Sequence, residues 1–113
     1  MIWRVTRDQL ISETGRLVSE GERLQSQPSM AAMRTWIALT DELLRAAWGS
    51  MDRYHLSWLS VGRPSGAIRG RAMTEDEEDA YVREVAVAKT AVLRMSLKAV
   101  AEDGMPFVGE TPA

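Results

Sequence analysis

Thr74-Glu75-Asp76-Glu77-Glu78-Asp79-Ala80-Tyr81-Val82-Arg83-Glu84-Val85-Ala86-Val87-Ala88-Lys89-Thr90-Ala91-Val92-Leu93-Arg94-Met95-Ser96-Leu97-Lys98-Ala99-Val100-Ala101 decides the fold. The stretch holds no Gly or Pro and opens with Thr74-x-x-Glu77, the spacing of a capping box. There the threonine oxygen accepts the amide three residues on, and the glutamate reaches back to the cap amide. The acids from Glu75 to Asp79 favour the same end through the helix dipole. Tyr81, Val82, Val85, Ala88, Ala91, Val92, Ser96, Ala99 and Val100 then recur at three- and four-residue steps, the apolar stripe of one helix face. Gly104 and Pro106 stop the run. A helix of about 28 residues, roughly 42 Å long, is expected. Its stripe needs other helices to cover it.

Upstream, those helices are legible in the same way. Thr6-x-x-Gln9 is a second capping box, with Val5 and Leu10 placed for a hydrophobic staple. Leu10, Ile11, Thr14, Leu17, Val18, Gly21 and Leu24 trace one face up to Pro28. Gly21 on that face either admits a neighbouring helix or weakens its own by about 1 kcal/mol. From Pro28 or Ser29, Met33, Trp36, Ile37, Thr40, Leu43, Leu44, Ala47 and Trp48 trace a second helix that Gly49 ends as a left-handed cap. The short link makes the pair an antiparallel hairpin. Ser50 can cap a shorter third helix with Met51, Tyr54, His55, Trp58 and Leu59 on one side. Residues 61–73, with Gly62, Pro64, Gly66 and Gly70, have no periodicity and read as a loop. No strand pattern appears. The fold expected is all-α: an up-down helical bundle of three long helices and one short, with a long Gly/Arg loop before the last. Residues 1–104 form one domain and 105–113 an extended C-terminal tail, from which Phe107 and Val108 could dock back onto the bundle.

Bulk properties agree. A chain of 113 residues, 45% hydrophobic and 27% charged, has the composition of one ordinary globular domain. The absence of cysteine excludes disulfides, thiolate zinc sites and thiol nucleophiles. Met1-Ile2-Trp3-Arg4-Val5 has no apolar run of signal-peptide length and no window approaches a membrane span, so a cytoplasmic protein is expected. Arg dominates over Lys, a bias suited to a GC-rich bacterial coding sequence.

The net charge of −2 conceals an uneven pattern. Residues 43–73 carry Arg45, Arg53, Arg63, Arg69 and Arg71 against Asp52 alone, and the acids from Glu75 to Asp79 follow at once. Such asymmetry points to distinct faces. Arg63, Arg69 and Arg71 beside three glycines lack the strand and the Gly-Lys-Ser/Thr ending of a phosphate-binding P-loop. What remains is a set of guanidiniums suited to phosphate or carboxylate. Arg53, Arg63, Arg69, Arg71, Lys89, Arg94 and Lys98 are the candidate nucleic-acid-binding residues, with Tyr54 as an aromatic platform. Trp3, Met30 and Phe107 are less easily buried and are the candidate protein-binding residues.

Catalytic patterns are missing from the sequence. Asp52-x-x-His55 has the spacing of a carboxylate and histidine on one helix face, but di-iron bundles need two such pairs and the chain has one His. The Arg and His spacing of helical ribonuclease toxins is also absent. The acids from Glu75 to Asp79 are contiguous rather than paired across two helices, as a magnesium site for nucleotide hydrolysis would require. The expectation is a non-enzymatic small helical subunit of a larger assembly, with no cofactor, no metal and no membrane. Its partners would be other protein subunits and a nucleic-acid backbone read without sequence, and a homo-oligomer is compatible with the same features. By architecture alone this is similar to the small all-helical subunits of CRISPR effector complexes, which line a nucleic-acid channel. The alternative is a protein-binding adaptor or inhibitor, of phage, bacterial or antitoxin-like kind, with no nucleic-acid contact.

Overall fold

Both capping boxes form in the computed structural model, and each starts a helix where the sequence places it. Thr6 and Thr74 each accept the N3 amide and receive the N3 side chain on their own amide, opening α1 (Arg7–Ser26) and α4 (Glu75–Ala101). Ser29 caps α2 (Met30–Trp48) by accepting from Ala32, and Gly49 follows with φ 95° and ψ 151°, a positive φ but not the left-handed helical cap expected. The short helix α3 (Arg53–Ser60) starts after Asp52, whose carboxylate accepts the Tyr54 amide at 3.4 Å. The structure describes residues 6–49, 52–60, 72–107 and 109–110, without the side chains of Arg53 and Ser60. The Ser50 cap, the Val5 staple and the 61–71 part of the Gly/Arg loop lie outside them.

The four helices make an all-α bundle with no strands among the described residues. Long-range contacts give the directions. Arg7 at the start of α1 meets Val100 near the end of α4, and Gln25 at the other end of α1 meets Arg83, so α1 and α4 run antiparallel. Trp36 packs on Trp58 and Trp48 on Tyr54, so α3 runs back along α2. The arrangement is up-down-up-down, as expected. At 27 residues, α4 spans roughly 40 Å and sets the long axis of the molecule. No helix is long and apolar enough to cross a membrane among the described residues.

Leu10, Leu17, Leu24, Met33, Trp36, Leu44, Trp58, Val85 and Leu93 lie in one buried core. At its centre α1, α2 and α4 meet at Gly21, where a Cβ would overlap Thr90 Oγ1 and stand 2.8 Å from Trp36 Cζ2. Close approach is therefore the role of this glycine. Trp36 is fixed there by its Nε1, which donates to the Leu17 carbonyl at 2.9 Å. The stripe of α4 is broader than expected and differently centred: Ala86, Lys89, Thr90 and Leu93 are buried, whereas Ala91 is exposed.

The tail does not stand apart from the bundle in its described part. Phe107 is buried against Trp48, with ring centroids 6.0 Å apart, and Gly109 donates its amide to the Ala47 carbonyl at 2.9 Å.

Candidate functional site

The expected basic face is only partly assembled by the described residues. Arg63, Arg69, Arg71 and Trp3 lie outside them, as does the side chain of Arg53, which occupies the first position of α3. Arg94 and Lys98 are exposed one turn apart on α4, yet each has an acid beside it: Glu22 at 3.1 Å and Asp103 at 3.5 Å. Lys89 corrects the sequence reading. It is buried; its ammonium donates to the Trp58 carbonyl in the last turn of α3 and lies 4.4 Å from the Trp58 ring centroid. A cation there complements the C-terminal end of the α3 dipole and the face of an indole. Its charge is turned into the fold rather than onto the surface.

The expected protein-binding residues need a similar correction. Phe107 is 6% exposed, and Met30, the first residue of α2, is half-buried and packs on the core. Phe107 offers no free apolar surface, and Met30 only part of one. The exposed large apolar side chains are others: Leu39 on α2, Leu56 and Leu59 on α3, and Val87 and Met95 on α4.

One of these borders a concavity. Leu39 is 49% exposed and lines a groove of about 400 Å³ between α1 and α2, with Leu17 and Leu43 as its other apolar residues. Gln9, Glu13, Arg16 and Glu42 complete the lining. Arg16 forms an ion pair with Glu13, while Glu42 is exposed with no such partner among the described residues. Sequence reasoning missed this groove because Leu39 falls off the α2 stripe. The available signal was Leu39 itself, one turn before Leu43 and beside the polar Thr35 and Glu42 at the edge of the α2 stripe.

The lone histidine does not pair with Asp52. Its Nε2 donates to Asp41 Oδ1 of α2 at 2.7 Å, and Arg45 reaches the other Asp41 oxygen at 3.4 Å. His55 is buried, so this bond ties α3 to α2 beside Tyr54 and Trp58. No group of three or more His, Asp or Glu side chains is gathered for a metal ion among the described residues.

No protein-family model matches the chain, and comparison with characterised proteins and with solved structures likewise finds no match.

Proposed function

We propose that the chain is a small non-enzymatic interaction module that takes an amphipathic helix of a protein partner into the groove between α1 and α2. Leu39 carries this reading: a half-exposed leucine on a groove whose other apolar residues, Leu17 and Leu43, belong to a core already complete without it. Such a groove suits a ridge of apolar side chains at helical spacing. With Arg16 held by Glu13, the open carboxylate of Glu42 favours a basic residue next to that ridge.

Charge supports this reading over the nucleic-acid one. Lys89 is buried, and Arg94 and Lys98 stand beside carboxylates, so backbone contact would rest on Arg53, Arg63, Arg69 and Arg71. A photo-crosslinking residue at position 39, in the native host, separates the two. The expected result is a polypeptide adduct that resists nuclease, is lost on Glu42→Lys, and persists when Arg63, Arg69 and Arg71 are all replaced by alanine. An adduct abolished by nuclease, or by the triple arginine variant with a steep salt dependence, would move the function to nucleic acid.

A further inference from the structure

Both edges of the α1–α2 groove continue beyond it with one period. On α1 the groove is lined by Glu13 and Arg16, which form an ion pair. Seven residues further on, Glu20 and Arg23 form a second pair at 2.9 Å. On α2 the groove is lined by Leu39 and Glu42, and seven residues before them stand Ala32 and Thr35. A step of seven returns to the same side of a helix within about 20°. Glu20 and Arg23 therefore extend the α1 edge, and Ala32 and Thr35 the α2 edge. Because the two helices run antiparallel, both extensions lead to the turn between Ser26 and Met30.

The two edges differ in character. Along α1 the charges alternate in sign and are paired within the helix, with side chains 45–68% exposed. Exposed pairs of this kind add little to stability. Repeated every seven residues on the rim of an apolar channel, they match the flanking charges of a coiled coil, which set partner choice. Along α2 the side chains are small or apolar as far as Glu42. Ala32 packs on the core, the Thr35 hydroxyl donates to the Ala31 carbonyl at 3.4 Å, and Leu39 is half-exposed. Midway along, Trp36 Nε1 donates to the Leu17 carbonyl at 2.9 Å and holds the two helices together. From Gln9 to Arg23 the strip is about 21 Å long, roughly four helical turns.

Resting on the reading of the groove as a helix-docking site, we propose that its occupant is a coiled-coil-type helix of a partner protein. This helix lies along the whole hairpin from Gln9 to Arg23, beyond the concavity itself. Its apolar side chains, at three- and four-residue steps, cover Leu39, Leu43 and Thr35. Its flank toward α1 carries charges of alternating sign that meet Glu13, Arg16, Glu20 and Arg23 in turn, and its flank toward α2 places a base at Glu42. The period selects a helix over an extended strand. Side chains on one face of a strand recur about every 7 Å, out of step with ion pairs that recur about every 10.5 Å. A polyanion fits the strip poorly, because each of its two arginines is matched by a glutamate.

Photo-crosslinking residues placed singly at positions 16, 23 and 39 of the full chain, in the native host, test the proposal. Position 87 on α4, 54% exposed, is the control. The same polypeptide should be captured from 16, 23 and 39, and at least ten-fold less from 87. Sequencing of the adducts should place the residues joined to 16 and 23 in one segment of the partner, about seven residues apart. Capture from 39 and 16 but not from 23 confines the partner to the concavity: the groove reading stands and the coiled-coil proposal falls. No capture from 39 removes both, and an adduct that is a second copy of this chain also overturns the proposal. The double variant Glu20→Arg/Arg23→Glu gives an independent readout. It keeps the ion pair and the net charge but inverts the pattern at two residues outside the concavity. Capture from 39 should fall at least several-fold while helicity by circular dichroism is unchanged. A capture yield indifferent to the exchange overturns the proposal and leaves the groove reading intact.

Discussion

Gly21→Ala should destabilise the protein, whereas Gly15→Ala, on the same helix, should stabilise it. In a helix interior alanine is worth up to about 1 kcal/mol over glycine, through propensity and the entropy of the unfolded chain. At Gly15 a Cβ meets nothing within 4 Å, so that gain is collected whole. At Gly21 the Cβ collides with Thr90 Oγ1 and crowds Trp36. Neither neighbour gives way easily: Thr90 is fully buried and Trp36 is bonded to the Leu17 carbonyl. Overpacking of this kind costs about 1–3 kcal/mol, and two pinned neighbours place it in the upper half of that range. The net loss is about 1–2 kcal/mol, with each kcal/mol worth about 4–8 °C in Tm for a small domain. Thr90→Ala removes the colliding oxygen, which has no hydrogen-bond partner, so in that background Gly21→Ala should recover about 1–2 kcal/mol. Urea unfolding of the two singles, the double and Gly15→Ala completes the cycle. If Gly21→Ala raises the midpoint as Gly15→Ala does, the close approach of α1 to α4 is refuted.

Lys89→Met keeps the stem but removes the ammonium from Trp58; it should cost about 1–2 kcal/mol and raise amide exchange in α3 first, which hydrogen-exchange mass spectrometry resolves. The same substitution should leave any nucleic-acid retention unchanged, and a loss there comparable to that of Arg94→Ala would count against a purely structural Lys89. Thr40→Val replaces a buried hydroxyl that has no hydrogen-bond partner and should be neutral or stabilising by up to about 1 kcal/mol in urea unfolding. Arg7→Met removes the guanidinium that donates to Glu110, Met105 and Val100 and should loosen the tail from α1; the expected signs are early proteolytic trimming after residue 104 and a loss of about 1–2 kcal/mol.

Where one helix face packs on a simple neighbour set, periodicity alone was enough. Leu10, Thr14, Leu17, Val18, Gly21 and Leu24 are buried on α1, and all of them stand in the stripe read from the sequence. On α2 the agreement is as close, with only Ile37 left half-buried. The stripe of α4 slipped for a physical reason. Alanine and valine occur around much of that helix, so several arcs are equally apolar, and contact with α1, α2 and α3 widens the arc that is buried. Lys89 was misplaced because its charge was read without its stem, which crosses apolar surface to reach a helix-end carbonyl. On α3 the third helix begins after Asp52 rather than after Ser50, and Leu59 points outward. Eight residues hold barely two turns, too few for a stripe to fix the phase. Phe107 follows Pro106 in a segment with no period, so nothing local could place it on Trp48.

Charge was the least legible property because its partners are set by the fold rather than by neighbours. Glu13 with Arg16, Glu20 with Arg23 and Asp41 with Arg45 are one helical turn apart and could be read directly. Arg94 meets Glu22 across 72 residues, and Arg7 meets Glu110 across 103. Summed along the sequence, Arg94 counts as part of a basic face; in the bundle it has an acid beside it, and exposed pairs of this kind contribute little to stability. Such a pair still alters what the surface offers a polyanion, because each phosphate contact must first displace a carboxylate. Leucine has no equivalent compensation: Leu39 is either covered by the chain or left to a partner, and here it is left half open beside a groove. An uncovered apolar side chain next to a concavity, rather than any described cation, is therefore what the proposed helix-docking role rests on.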